Sequence, residues 1–181
     1  MSNNNHSINE FDFQLICEYF SSTDRQGPGS KTSTLKAFSY LKDLPNHPKI
    51  ADLGCGTGSS SLVLAKHTDA HITAIDLFPL FIEKLNTRAQ QAHVIEKIHA
   101  MMGDMGELPF EEKSFDAIWS EGAIYNIGFQ RGMNEWYPFI KTGGYIAVTE
   151  ATWLTEHRPK EIENFWTDAY PEIDTLPNKV K

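Results

Sequence analysis

The sequence predicts an α/β protein built on a doubly wound, mostly parallel sheet. Short apolar runs of strand length alternate with longer stretches of helical periodicity. Three glycines follow the first such run directly, and acidic residues recur at the ends of the next runs, where doubly wound sheets gather their ligands. The charge balance of the 181 residues is 16 basic against 24 acidic, a formal −8, with 40% hydrophobic and 22% charged residues. That composition is ordinary for a globular chain and disfavours nonspecific binding to nucleic acid or anionic lipid.

The organising stretch is Lys49–Ser61, KIADLGCGTGSSS. Ile50, Ala51 and Leu53 suit a strand covered on both faces. Gly54, Gly56 and Gly58 then allow a tight turn and close approach of a ligand to the backbone, and Ser59–Lys66 continues as a helix whose first N–H groups face the same place. The glycines fall as G-x-G-x-G with Asp52 two residues ahead, whereas a dinucleotide fingerprint has G-x-G-x-x-G and would need glycine at Ser59.

The string DLGCGTG resembles motif I of the class I S-adenosylmethionine-dependent methyltransferases. The resemblance implies a Rossmann-like class I methyltransferase fold with S-adenosyl-L-methionine as cofactor and S-adenosyl-L-homocysteine as product. It gives Asp52 the cofactor's amino-acid end, directly or through water, and sets Gly54, Gly56 and Gly58 against its methionine part and ribose.

Upstream, residues 1–45 are expected to form a helical cap or lid. Met1–Asn9 is polar and expected to fray. Phe11, Phe13, Leu15, Ile16, Tyr19 and Phe20 fit an amphipathic helix ending near Phe20. Arg25–Ser30 is a Gly-Pro-Gly loop from which Arg25 or Gln26 reaches the ligand, and Ser30 or Thr32 caps a second helix to Leu44 that buries Leu35, Phe38 and Leu41.

Residues 46–152 form the expected cofactor-binding core. His71–Asp76 is the second strand, and Asp76 stands where a strand-end carboxylate accepts hydrogen bonds from ribose hydroxyls, in dehydrogenases as well as methyltransferases. Leu77 and Phe78 resemble family residues that pack on adenine. A helix from Pro79 to about Glu96, with His93 on its surface, precedes the third strand, Ile98–Met102. Gly103-Asp104-Met105 resembles the family's adenine turn, with the Asp104 carboxylate toward the exocyclic amine and the Met105 N–H toward a ring nitrogen.

Ser114–Ser120 is the fourth strand, and the catalytic region is expected at its end. Glu121 is assigned to the cofactor's ammonium group or to orienting the acceptor, and Tyr125 to a hydrogen bond with the acceptor. Trp119, Tyr125, Phe129 and Trp136 are the expected pocket walls for a small-molecule methyl acceptor, and no metal is required. Thr142-Gly143-Gly144 turns into a fifth strand, Tyr145–Glu150, again resembling the family.

Residues 153–181 are expected to begin a C-terminal substrate or cap region, with His157 as a loop histidine open to an acid–base role. A complete member of the family continues through another helix and an antiparallel strand pair. The chain is therefore expected to be a C-terminally shortened fragment whose fifth strand is an open edge, prone to pairing with another copy. Cys17 and Cys55 have no metal-ligand spacing and suggest no disulfide. With no leader and no apolar run of membrane-spanning length, a cytoplasmic location is expected. Enzymes resembling this chain methylate quinones, sterols or small amines. Two other readings stay open: a non-catalytic module binding S-adenosylmethionine or S-adenosylhomocysteine, and a nicotinamide-dependent oxidoreductase.

Overall fold

β1, Lys49–Leu53, is buried at all but its first residue, as an apolar run shielded on both faces must be. In the computed structural model, which describes residues 13–180, it is the middle strand of a five-stranded parallel sheet. The other strands are β2, His71–Asp76; β3, Ile98–Met102; β4, Phe115–Ser120; and β5, Ile140–Val148, in the order β3-β2-β1-β4-β5. The strand order reverses at β1, so the crevice beyond the carboxyl ends of β1 and β4 is the topological switch point.

Helices cover both faces. α1, Phe13–Ser21, and α2, Lys31–Phe38, precede the sheet; α3, Ser59–His67, and α4, Pro79–Gln91, connect β1 to β2 and β2 to β3; α5, Phe129–Trp136, follows β4. On one face Ile50, Ile72 and Ala117 pack with Leu64 of α3 and Leu85 and Ala89 of α4. On the other, Leu53, Ile75 and Ile118 pack with Ile124 and Trp136. The expected frayed stretch Met1–Asn9, Phe11, and the side chains of Phe13 and Ile16 lie outside the described residues.

Three boundaries differ from the expectation. α2 stops at Phe38 rather than Leu44, where the Ser39 hydroxyl donates to Lys36 O and Tyr40 N–H to Ala37 O. Its buried residue is Thr34, not Leu35. α4 stops at Gln91 because His93 takes φ 55°, with His93 N–H donating to Gln90 O and Val94 N–H to Ala89 O. These paired bonds form a Schellman stop built on a non-glycine residue.

β5 begins at Ile140, five residues early. Its Gly-Gly turn is a bulge inside the strand, since Phe115 pairs with Ile140 but Ala117 with Tyr145. Asp116 anchors this end of the sheet, accepting from Lys49 N–H at 2.8 Å and from Lys141 Nζ at 2.9 Å.

β5 is one edge of the sheet. After it come β6, Thr152–Trp153; α6, Lys160–Ala169; β7, Asp174–Thr175, which pairs in parallel with β6; and α7, Leu176–Lys179. Among the described residues, no helix is long and apolar enough to cross a membrane.

Candidate functional site

A cavity of about 600 Å³ opens at the switch point, within the usual size of a small-ligand site. Its floor is the turn after β1. Gly54 and Cys55 N–H groups both donate to Ile75 O at 2.9 Å, tying the turn to β2. Gly58 caps α3 in the left-handed region at φ 85°, and Ser59 and Ser60 at the helix start join the cavity wall.

Asp76 occupies the position expected of it. It lines the cavity at the end of β2 and is nearly buried. One carboxylate oxygen accepts from Gly56 N–H at 2.8 Å and the other from Phe78 N–H at 3.1 Å. Burial raises its pKa, while the Phe78 and Gly56 backbone donors pull the other way. The Leu77 backbone also acts on this carboxylate, which with two acceptor oxygens keeps capacity for a ligand hydroxyl. Beside it, Leu77 is 56% exposed on the same wall, an apolar side chain left open where a flat ring would cover it.

Asp104 and Met105 also line the cavity. The Asp104 carboxylate accepts from Gly106 N–H at 2.8 Å, and the Trp136 indole N–H donates to Met105 O at 2.8 Å. The second bond fixes this turn from the buried face of α5.

Asp52 and Gly58 stand behind the cavity wall, not on it. Asp52 is fully buried and accepts from the Ser60 and Ser61 hydroxyls at 2.7 and 2.5 Å, all on one oxygen. The other oxygen has no partner among the described residues. Burial pushes the Asp52 carboxyl up to about 6, outweighing the lowering by Ser61 and Ser60. The acid of the motif thus holds the start of α3. A Cβ at Gly58 would run into the Leu85 side chain, so its glycine serves the packing of α3 on α4.

Glu121 lines the cavity just past β4 and is held by three donors. Arg25 Nη1 donates to Oε2 at 2.7 Å, while Thr34 Oγ1 at 2.7 Å and Trp119 Nε1 at 2.9 Å donate to Oε1. A carboxylate held by three donors has its oxygens fixed in direction at the cavity edge. Thr34 also accepts from Arg25 Nη2 at 3.3 Å. Sequence reasoning missed Thr34, because a threonine inside an eight-residue helix carries no signal of a partner 87 residues away.

Gln26 is the other residue of the Arg25–Ser30 loop in the cavity wall. Its side-chain carbonyl accepts from Thr57 N–H at 3.3 Å and lies where a Cβ on Gly56 would have to be. The loop therefore covers the glycine turn, with Phe20 of α1 beside it.

The expected pocket walls are corrected by the packing. Trp119 and Trp136 are fully buried in the two halves of the core, and Phe129 packs against the second, outside the cavity. Both tryptophans act from behind, through their indole N–H groups. Tyr125 is in the wall, 44% exposed, and its hydroxyl has no hydrogen-bond partner among the described residues. His157 is exposed and away from the cavity. Cys17 and Cys55 are unpaired thiols.

A parallel doubly wound sheet with a glycine turn, a strand-end carboxylate and a covering loop defines a nucleotide-type cofactor binder. The family described as a methyltransferase domain matches residues 50–144, and the chain belongs to it. It is 32% identical over 111 residues to a sarcosine/dimethylglycine N-methyltransferase of Aphanothece halophytica, covering 61% of this chain and 40% of the relative. It is 30% identical over 142 residues to a sterol 24-C-methyltransferase of Candida albicans, covering 78% and 34%. The chain thus spans a third to two fifths of the length of these curated relatives.

Among solved structures, a methyltransferase of Geobacter sulfurreducens in complex with S-adenosyl-L-homocysteine is similar in fold. Its TM-score is 0.76 at 18% identity, with 91% of this chain and 66% of that one covered. Geranyl diphosphate C-methyltransferase from Streptomyces coelicolor A3(2) is similar at TM-score 0.67 and 16% identity, covering 82% and 57%.

Proposed function

We propose that the chain is the cofactor-binding part of an S-adenosylmethionine-dependent methyltransferase acting on a small-molecule acceptor. Asp76 carries the reading. Its carboxylate is fixed by backbone donors, Gly56 and Phe78 among them, at the rim of the glycine turn and lines a cavity of nucleotide size. Membership of the methyltransferase-domain family and the ligand-bound structural relatives support it.

In this reading Asp76 accepts from the ribose hydroxyls, and Leu77 and Met105 bracket the adenine. Asp104 accepts from the exocyclic amine. The backbone at Gly54 and Gly56 lies along the methionine part, and Glu121, held in place by Arg25, faces the ammonium group. S-adenosylmethionine supplies an activated methyl group on sulfur, transferred by in-line displacement. The chain's own work is orientation and exclusion of water, which remove much of the barrier when reacting atoms are held in line. Phe20 and the Arg25–Ser30 loop close the cavity, and the Tyr125 hydroxyl meets the acceptor from the opposite wall.

Residues 1–45 serve as the cap, 46–152 as the cofactor core and 153–181 as the start of the acceptor side. The working compartment in this reading is the cytoplasm, and β5, at the sheet edge, is the surface for self-association.

Calorimetric titration with S-adenosylmethionine, S-adenosylhomocysteine and NAD tests the proposal. The first two bind and NAD does not, and Asp76→Ala weakens S-adenosylhomocysteine by roughly 30-fold or more, the loss of two hydrogen bonds to a charged acceptor. A folded chain that binds neither, or that prefers NAD, overturns it.

A further inference from the structure

The C-terminal segment contains a built cation site whose occupant belongs to the chain itself. Lys179 Nζ lies 5.0 Å from the centroid of the Phe129 ring and 5.1 Å from that of Tyr170. It donates to Glu150 Oε1 at 2.7 Å, and the two side chains are only 6% and 7% exposed. The Tyr170 hydroxyl donates to the same oxygen at 2.7 Å. Two aromatic faces and a carboxylate around one ammonium form the arrangement by which proteins hold alkylammonium groups.

Two features set it apart from an ordinary structural ion pair. Glu150 Oε2 is buried and has no partner among the described residues, so one side of the carboxylate is left unused by the lysine. And Lys179 arrives on α7, a four-residue helix with no buried residue, flanked by Leu176 at 60% and Val180 at 71% exposure. The ammonium is held by the cage, while the short helix that delivers it, anchored through Asn178 on Asp174 and the two-residue β6–β7 pair before it, buries no side chain of its own. Such a short terminal element opens at small cost.

The cage adjoins the cavity. The Tyr170 ring meets Tyr125 edge to face, centroids 6.2 Å apart, and Tyr125 is a cavity wall. Phe129 begins α5 two residues after Ile127, another wall residue. Glu172 holds the segment against this loop by accepting from Gln130 N–H at 3.3 Å.

We infer that Phe129, Tyr170 and Glu150 form a binding site for an organic ammonium group, and that Lys179 is an internal occupant displaced when a ligand enters. The cation site stands on its own geometry. That its ligand is a charged group of the methyl acceptor rests on the methyltransferase reading above.

The test is titration of the full chain and of Lys179→Met with choline and with its neutral isostere 3,3-dimethylbutan-1-ol, each variant also titrated with S-adenosylhomocysteine. Emptying the cage is expected to tighten choline binding by about tenfold or more, with no comparable gain for the neutral isostere. Adding Glu150→Gln to Lys179→Met abolishes the gain. Equal choline affinity in the original chain and Lys179→Met, or equal gains for both probes, overturns the inference. Lys179→Gln repeats the comparison if Lys179→Met lowers the melting temperature; loss of cooperative unfolding in both would make Lys179 a structural pillar and also overturn it. Choline binding without S-adenosylhomocysteine binding would fail the cofactor reading and leave the cation site standing, and the converse would do the reverse.

Discussion

Arg25 and Glu121, 96 residues apart, are joined by a 2.7 Å ion pair that ties the loop over the glycine turn to the end of β4. Both side chains are mostly withdrawn from solvent, so the pair is worth more than a surface contact. Arg25→Met leaves the Glu121 carboxylate with only Thr34 and Trp119 as donors. It is expected to cost about 2 kcal/mol in urea unfolding, and Arg25→Met/Glu121→Gln recovers at least half. Additive losses in the two single variants would show that the loop is held by other contacts.

The glycines of the turn separate by role. Gly58→Ala forces a side chain into Leu85 from a left-handed backbone and is expected to lower stability by about 3 kcal/mol. The molecules that remain folded bind S-adenosylhomocysteine with unchanged affinity, because Gly58 does not face the cavity. Gly56→Ala drives a Cβ into Gln26 on the cavity side and weakens binding itself. Calorimetry and melting curves on the two variants read the distinction.

Asp52 gives the fold a pH dependence of definite sign. Its folded pKa of about 6 stands above the ordinary 3.8, so the folded chain holds this proton more tightly than the unfolded one. The contribution is complete below about pH 4 and is lost as pH rises through about 6, up to about 3 kcal/mol in all. Asp76, raised in the same direction, adds to the slope. Asp52→Asn, which keeps an acceptor for Ser60 and Ser61, flattens the fall in urea-measured stability between pH 4 and 7 without removing it. An unchanged slope would mean that the carboxyl is not desolvated in solution.

The Tyr125 hydroxyl, in the cavity wall, has no hydrogen-bond partner among the described residues. Tyr125→Phe is expected to leave S-adenosylhomocysteine affinity within about twofold and to lower turnover of an acceptor roughly tenfold, the worth of one hydrogen bond. Equal loss of cofactor affinity would move Tyr125 from the acceptor to the cofactor.

The sequence by itself determined the existence of the five strands of the main sheet, the glycine turn and the cavity-lining residues Asp76, Leu77, Asp104 and Met105. These are local signals: an apolar run, a backbone conformation that needs glycine, and an acid or apolar residue at a strand end have the same meaning wherever the chain carries them. What it did not determine were the partners of those residues. That Trp136 fixes the Met105 turn from inside the core and that Thr34 and Arg25 hold Glu121 depend on contacts across tens of residues, and that Asp52 binds the Ser60 and Ser61 hydroxyls behind the cavity wall depends on how α3 folds back onto β1. The bulge in β5 and the stop at His93 were hidden for a related reason, since each is fixed by hydrogen bonding that forms only in the folded chain. The cage around Lys179 is the extreme case. Phe129, Glu150, Tyr170 and Lys179 follow no spacing rule, and only the tertiary structure brings two rings and a carboxylate around one ammonium.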